Sequence, residues 1–499
     1  MTRDIDVSTV VTLHREGKYL ARTLRSLSEA ATFAADSDLR TELVAAFDRS
    51  DPLTREVFRA ADLSAFRAVR VIEANHGSVS LSRNAGCRAA MGEWLDLIDG
   101  DDLTSYCSIA RMAETGRERG AKCVLVPKFS LGFGAKYYTV EYFNQDDVAA
   151  FATVKYPLFT SKVFYHRSLH DVVQYRDVPL GMGYAYEDWH FNCEAMSAGY
   201  SFFSVEGTAL LYRQRLDSRN HAADRISARQ PPPSMLFKPS RFRQVFTQTI
   251  ARYSGPNAAP LPHLRGFNLF KDPVYRAIIA RANAIDPAVD IGRYEWDCLG
   301  HFSNAIDARV GIAYYRMCEA VASDEFEEVF LLSSDTTSGP VMDSLLIGAR
   351  ASPGRSRLAL FDYVPGDGWQ DGAPGDAAIT PVFLPALCAE LTVEDRDLLC
   401  FKLIQATAES ATLQFAADGF GRRFFSTFAP VLDRSHSICY RPANRVAEFA
   451  PGYPSIDPVV FDFLSEHAGA IDRVICADID TLRDDRRRLG LAAEKWELA

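Results

Sequence analysis

Twice along this chain, short β-branched or aliphatic runs of strand length alternate with amphipathic stretches of helical length. Parallel strands need a crossover, usually a helix, so this alternation commits the chain to layered α/β architecture with helices on the sheet faces. In the first series VSTVVTL (7–13), ELVAAF (42–47), FRAVRVIEA (66–74) and WLDLID (94–99) read as strands. Leu20, Leu24 and Leu27 follow Gly17 at i, i+4 and i+7, one stripe of a helix, and SLSRNAGCRAAMG (80–92) reads as another helix. Ligands of such sheets bind at the carboxyl ends of the strands, where His14, Asp48 and Asp99 stand.

The second series starts near residue 325. EVFLLSS (328–334), RLALFDYV (357–364), ITPVFLP (379–385), ATLQFAA (411–417), HSICYRP (436–442) and RVICAD (473–478) read as strands, separated by helical patterns at 341–351, 393–408, 419–432 and 458–468. Between the series, DSRNHAADRISARQPPP (217–233) is polar and ends in three prolines, the strongest boundary signal in the chain. RFRQVFTQTIARY (241–253) then reads as a helical connector. The expected division is a first domain at 1–220, a linker and helical connector at 221–324, and a Rossmann-like domain at 325–499. A length of 499 residues, with 47% hydrophobic and 24% charged residues, supports more than one folded core.

The formal net charge of −10 argues against nucleic acid as a main partner, since phosphate-backbone binding needs a positive field. Ten cysteines show no CxxC pair, finger spacing or disulfide-scaffold density, which fits a reducing cytosol. The N-terminus lacks the succession of a signal peptide, and no run of about 20 apolar residues is present to span a bilayer. A cytoplasmic location is expected, with contact at the inner membrane face left to a surface or a partner.

Asp99, Gly100, Asp101 and Asp102 close an apolar strand. Carboxylates so crowded repel one another unless a cation or hydrogen-bond donors neutralise them. Oxygen ligands of this kind suit Mg2+ or Mn2+ bridging to substrate phosphates. The competing reading is a solvated acidic turn.

The surrounding sequence decides between them. NHGSVSLSRNAGCRAAMGEWLDLIDGDD (75–102) resembles the family 2 glycosyltransferases of GT-A fold, whose pattern is a polar G…RN…G…A.GE stretch before an apolar strand ending in D.DD. VVTLHREGKYLARTLRSL (10–27) is similar to the family's opening strand, nucleotide-contacting turn and first helix. AFDRSD (46–51) stands where the family carries its dDgS.D loop, and YEDWHFNCEAMSAGY (186–200) resembles its ED segment.

The resemblance implies a role for each matching residue. Thr12, His14 and Glu16 would contact the nucleoside, Asp48 the uracil edge, and Arg83, Asn84 and Arg213 the diphosphate of a nucleotide sugar. Asp101 would ligate the metal, with Asp99 on the ribose or the metal, and Asp102 is open to an acceptor role. Asp188 would be the general base that deprotonates the acceptor hydroxyl, and Glu187 would orient acceptor or sugar. For each, a structural use competes: an Asx turn at Asp48, a salt bridge at Arg83, a cap at Asn84, helix-dipole complementation at Glu187 and Asp188.

One departure matters. Family members often carry a histidine soon after the YR segment, and this chain reads YRQRLDSRNH (212–221), leaving Arg213, Arg215 or His221 as substitutes. His190 is open between the acceptor pocket and a helix surface. The second half resembles the N-terminal Rossmann-like half of GT-B family 4 enzymes, with only Ser338, Gly339 and Pro340 at the glycine-rich turn, which implies no independent transferase activity. The resemblance implies an inverting, Mn2+- or Mg2+-dependent transfer from a nucleotide sugar, UDP-linked by expectation, to a glycan or glycolipid in bacterial surface polysaccharide synthesis. The alternative is a catalytically silent glycan-binding or scaffolding protein that keeps the GT-A shell.

Overall fold

The computed structural model describes residues 4–215, 229–256, 258–262, 269, 271–294, 300–321, 323–334, 340–364, 379–432, 436–441, 458–476, 479–489 and 492–498. His221 and the Ser338–Gly339 turn lie outside them. The chain divides into two compact units, 1–236 with 245–308, and 237–244 with 309–499. The stretch 221–324, read from sequence as a separate connector, is thus shared between them.

In the first unit, strands β1 (Val7–Leu13), β2 (Thr41–Asp48), β3 (Ala68–Ala74) and β4 (Trp94–Asp99) run parallel in the order β4-β1-β2-β3. Helices α1 (Gly17–Ala35), α2 (Pro52–Ala60) and α3 (Val79–Ala89) connect them. Local chemistry starts these helices: Asp51 accepts from the Thr54 amide with Pro52 in the first turn, and Ser78 caps α3 through the Leu81 amide. Register sets Thr12 beside both Ala46 and Asp99, and Asp48 beside Ala74, so the strands deliver their polar last residues to one rim.

Beyond β4 the sheet becomes mixed. After β5 (Leu103–Thr104) and α4 (Ser108–Arg119) come β6 (Cys123–Gly134), β7 (Tyr138–Glu141) and β8 (Phe164–His166). β8 runs antiparallel to both β4 and β6. α5 (Ser168–Val172) and α6 (Glu187–Ser197) lead to β9 (Ser201–Gln214), which pairs parallel with β6 and antiparallel with β5.

The supposed connector supplies α7 (Pro239–Tyr253), α8 (Pro273–Ile285) and β10 (Gly300–Ser303), and β10 extends the first sheet beside β7. Tyr275, Ile278, Ile279 and Ala282 of α8, with Val289 and Tyr294 beyond it, share one buried cluster with Phe129, Leu131, Phe133, Ala209 and Leu211 of β6 and β9. Burial on that scale makes 273–294 part of the first unit's core.

The second unit holds α9 (Arg309–Ala320) and a parallel sheet ordered β13-β12-β11-β14-β15-β16-β17. Its strands are β11 (Glu328–Leu332), β12 (Arg357–Phe361), β13 (Ile379–Phe383), β14 (Thr412–Phe415), β15 (Ser437–Tyr440), β16 (Arg473–Cys476) and β17 (Trp496–Leu498). This is the doubly wound order, reversing between β11 and β14. The six strands expected from sequence are present; β17 adds a seventh, which at three residues is too short to show a periodicity. No helix among the described residues is long and apolar enough to cross a membrane.

Candidate active site

At the rim of the first sheet a cavity of about 720 Å³ opens, a size suited to a small-molecule ligand. Thr12, His14, Glu16, Asp48, Arg83, Asp99, Asp101, Glu187 and Arg213, all singled out from sequence, line it. His76, Ser78, Ser82, Asp177, Tyr212 and Arg215 line it as well. Of these only Arg215 stands out in the sequence; the others sit on loops or elements whose approach depends on the fold.

Gly100 makes the acidic turn possible. A Cβ there would stand 2.7 Å from Leu13 Cδ2 and 2.9 Å from the Thr12 carbonyl oxygen, so only glycine lets the turn lie on the end of β1. Thr23 Oγ1 donates to the Gly100 carbonyl at 3.1 Å and fastens the turn to α1. From this turn the three aspartates diverge. Asp99 accepts from Arg83 Nη2 at 2.7 Å, and Asp101 pairs with Arg215 Nε at 3.1 Å. Asp102 is 2% exposed, accepts from the Arg213 amide at 2.8 Å and does not line the cavity.

Burial pushes the Asp101 carboxyl up to about 6; Arg215 opposes that shift, and the charges of Asp99 and Glu16 add to it. Burial also raises Glu16, against the amide of His14. The anion at Asp101 is therefore incompletely neutralised by the arginine beside it. Among the described residues no three His, Cys, Asp or Glu side chains converge as a closed metal cage. Among these residues Asp99, Asp101 and Glu187 share only the two guanidinium groups of Arg83 and Arg215, and that excess of carboxylate fits a divalent ion that takes its remaining oxygens from phosphate and water.

Arg83, 5% exposed, bridges two segments: its Nη2 meets Asp99, and its Nη1 donates to Glu187 Oε1 at 3.2 Å. Burial works against its charge, but Asp99 and Glu187 outweigh it and hold the guanidinium well above its ordinary value. Asn84 departs from expectation. Its Nδ2 donates to the Tyr175 carbonyl at 2.8 Å and its Oδ1 accepts the Tyr175 amide at 2.9 Å, so it pins the 173–179 segment, and it is absent from the cavity lining. Neighbours on a helix lie about 100° apart, and Arg83 took the face toward the cavity.

Asp48 lines the cavity with its carboxylate already saturated. Oδ1 accepts the amides of His76 and Gly77, and Oδ2 accepts the Ser78 amide and the Ser82 hydroxyl, at 2.8–3.0 Å. Burial would raise this carboxyl, but those four donors hold it below the ordinary range. A carboxylate has about four acceptor sites, so Asp48 anchors the loop before α3 rather than accepting from a uracil edge. His14 Nδ1 contacts the Asp48 carbonyl at 2.8 Å, and the His14 amide bonds Glu16 Oε2, which ties the nucleoside-side turn to β2.

Glu187 and Asp188 begin α6 after Tyr186, a non-glycine residue in the left-handed region (φ 64°). Glu187 faces the cavity, while Asp188 is absent from its lining and accepts the Trp189 amide at 2.8 Å. Burial, with Glu187 adding and Arg83 opposing, lifts the Asp188 carboxyl to about 6. The hydroxyls of Tyr142, Tyr175 and Tyr212 are pushed up, by burial first, with Asp188 contributing to each, which sets its carboxylate among tyrosines. His190 is buried and contacts the Pro233 carbonyl at 3.1 Å, a packing role rather than an acceptor contact.

Arg213 lines the cavity, yet its guanidinium is engaged by the protein: Nε donates to the Asp101 carbonyl at 2.8 Å and Nη2 to Asp286 at 2.5 Å.

A parallel-start α/β sheet whose acidic strand ends ring a cavity of nucleotide size defines a nucleotide-sugar glycosyltransferase unit of GT-A fold. Residues 8–199, within the first unit, match the model of glycosyl transferase family 2. The chain is therefore a glycosyltransferase, with Tyr212–Arg215, α8 and the second unit outside the matched span. Among solved structures, S. aureus TarS 1-349 in complex with UDP-GlcNAc is 16% identical with a TM-score of 0.36, over 56% of this chain and 73% of that one. Mannosyltransferase PcManGT from Pyrobaculum calidifontis in complex with GDP-Man and Mn2+ is 16% identical with a TM-score of 0.32, over 58% and 76%. Comparison with curated proteins finds no match.

Proposed function

We propose that the first unit transfers a sugar, with inversion and with a divalent ion, from a UDP-sugar to a hydroxyl of a glycan or glycolipid of the bacterial surface. The observation that carries this reading is the convergence of Asp99, Asp101 and Glu187 on one cavity, with Arg83 tying Asp99 to Glu187. Asp101, with Asp99, would hold Mn2+ or Mg2+, which when bound offsets charge on the leaving diphosphate. The nucleoside would lie along Thr12, His14 and Glu16, over the loop that Asp48 fixes.

Asp188 is the proton acceptor in this reading. As the acceptor oxygen bonds to the anomeric carbon, the bond from that carbon to the diphosphate oxygen breaks, and the hydroxyl proton passes to Asp188. A carboxyl near 6 is ionised at neutral pH yet more basic than an ordinary aspartate, which suits a general base. Glu187, held by Arg83, would orient the sugar. The second unit, read as a GT-B-type half, would serve acceptor binding or assembly and carry no transferase activity of its own.

One observation favours the silent-shell alternative: Asp99 and Asp101 each already face an arginine. Calorimetry of UDP with and without Mn2+ separates the two. Metal-dependent UDP binding, followed by hydrolysis or transfer from a panel of nucleotide sugars, supports the transferase; UDP affinity indifferent to Mn2+ and chelator defeats it.

A further inference from the structure

We propose that Asp286, far outside the family 2 span, is a positioning residue for the acidic turn of the donor site, acting through Arg213. The side chain ends α8 and is 3% exposed. Its Oδ1 accepts the Ala288 amide at 2.9 Å, its backbone amide donates to the Ala282 carbonyl, and its carbonyl accepts from Val289. The carboxylate is thus fixed before it meets any partner. Its Oδ2 then takes Arg213 Nη2 at 2.5 Å, with Arg22 Nε 3.6 Å away.

Arg213 relays that anchoring to the turn. Its guanidinium is held 4.5 Å from the ring centres of both Tyr19 and Phe133, so it cannot swing. From there Nε donates to the Asp101 carbonyl, and the Arg213 amide donates to the Asp102 carboxylate. Both aspartates of the turn beyond Gly100 are therefore placed from β9, and β9's arginine is placed from α8. A guanidinium this buried needs a counter-charge. Asp286 supplies it, so the donor-site turn depends on a residue 184 positions after Asp102.

The affinity arm of the test rests on the nucleotide-sugar reading; the exchange arm does not. In the full chain, Asp286→Asn should accelerate hydrogen–deuterium exchange across residues 100–104 and weaken UDP binding in the presence of Mn2+ at least tenfold. Asp286→Glu should restore both in part. Asn283→Ala removes a hydrogen bond from the same helix to the Val289 carbonyl without touching Arg213, and should change neither. If Asp286→Asn fails to fold, Asp286→Asn with Arg213→Gln, which removes both charges, carries the same readouts and the same expectation. Unchanged exchange over 100–104, or an Asn283→Ala variant that reproduces both effects, overturns the proposal. Faster exchange in Asp286→Asn alongside wild-type protein that ignores UDP supports the positioning role and counts against the nucleotide-sugar reading instead.

Discussion

Replacing Asp188 with asparagine should cost activity and raise stability together. A folded-state carboxyl near 6 against an ordinary 3.8 means that ionised Asp188 destabilises the folded state by about 3 kcal/mol once both states are ionised. The sign follows from the direction: a raised acid binds its proton more tightly when folded, so the cost is full above the folded value and is relieved as pH falls from about 6 toward 3.8. Asparagine resembles the protonated form. At pH 7.5 Asp188→Asn should melt higher than wild type, by roughly 6 °C if the first unit unfolds on its own. The gain should fall to about half at pH 5. Over the same interval wild-type kcat should rise from pH 5 to a plateau above 7, and the variant should lose about 10²–10⁴ in kcat, equivalent to about 3–5.5 kcal/mol of barrier. UDP affinity should stay within about twofold, because a base acts on the barrier rather than on donor binding. Thermal melts at both pH values, initial rates and UDP calorimetry together check this. A variant that melts lower at pH 7.5, or keeps more than a tenth of wild-type kcat, would refute the assignment of a strained, ionised base.

Arg83→Met strands Asp99 and Glu187 without their shared cation and should destabilise the first unit by about 3–5 kcal/mol while abolishing transfer; a wild-type melting curve would contradict the bridge. Asn84→Ala loses two buried hydrogen bonds and should cost about 1–3 kcal/mol in denaturant unfolding, with donor KM unchanged in the folded enzyme. A selective rise in donor KM would instead favour a contact between Asn84 and the diphosphate. Asp101→Asn should abolish the Mn2+ dependence of UDP affinity in calorimetry. Arg215→Gln removes a cation that competes for Asp101, and since partly exposed ion pairs are worth about 0.2–1 kcal/mol, Mn2+ titrations should tighten by no more than about fivefold. Weaker Mn2+ binding would show Arg215 to be a partner of the ion rather than a rival.

Much of the site was legible because strand ends are legible. The apolar runs of β1, β2 and β4 stop at Leu13, Asp48 and Asp99, and parallel register then carries those ends to one rim without further information. What the sequence did not disclose is the direction of each side chain. In the pairs Arg83–Asn84 and Glu187–Asp188 the helical turn sends one member into the cavity and the other into the protein. Asp48 lost its expected role for a related reason: its four donors come from residues 76–82, and only folding of the β3 to α3 loop reveals that they saturate it. The boundary at 217–233 led 221–324 to be read as a connector, whereas α8 packs on β6 and β9 through residues whose stripe looks the same on a free amphipathic helix.

Charge explains why the cavity of the first unit is built with so many internal anchors. Glu16, Asp99, Asp101, Asp102, Glu187 and Asp188 meet three guanidinium groups, those of Arg83, Arg213 and Arg215, and Arg213 is further engaged by Asp286. Asp101, Asp102 and Asp188 all show raised values, from burial first and from neighbouring carboxylates in addition. Such an arrangement repels a bare diphosphate and becomes favourable when a divalent ion arrives with it. Positions whose charge is left uncompensated must be held mechanically, because electrostatics alone would drive them apart. Gly100 against β1, Thr23 on the Gly100 carbonyl, Asn84 on Tyr175 and Asp286 on Arg213 do that holding. Thr23 of α1, Asn84 of α3 and Asp286 at the end of α8 lie outside the acidic turn and the start of α6, so the anchoring side chains are distinct from the crowded carboxylates they hold.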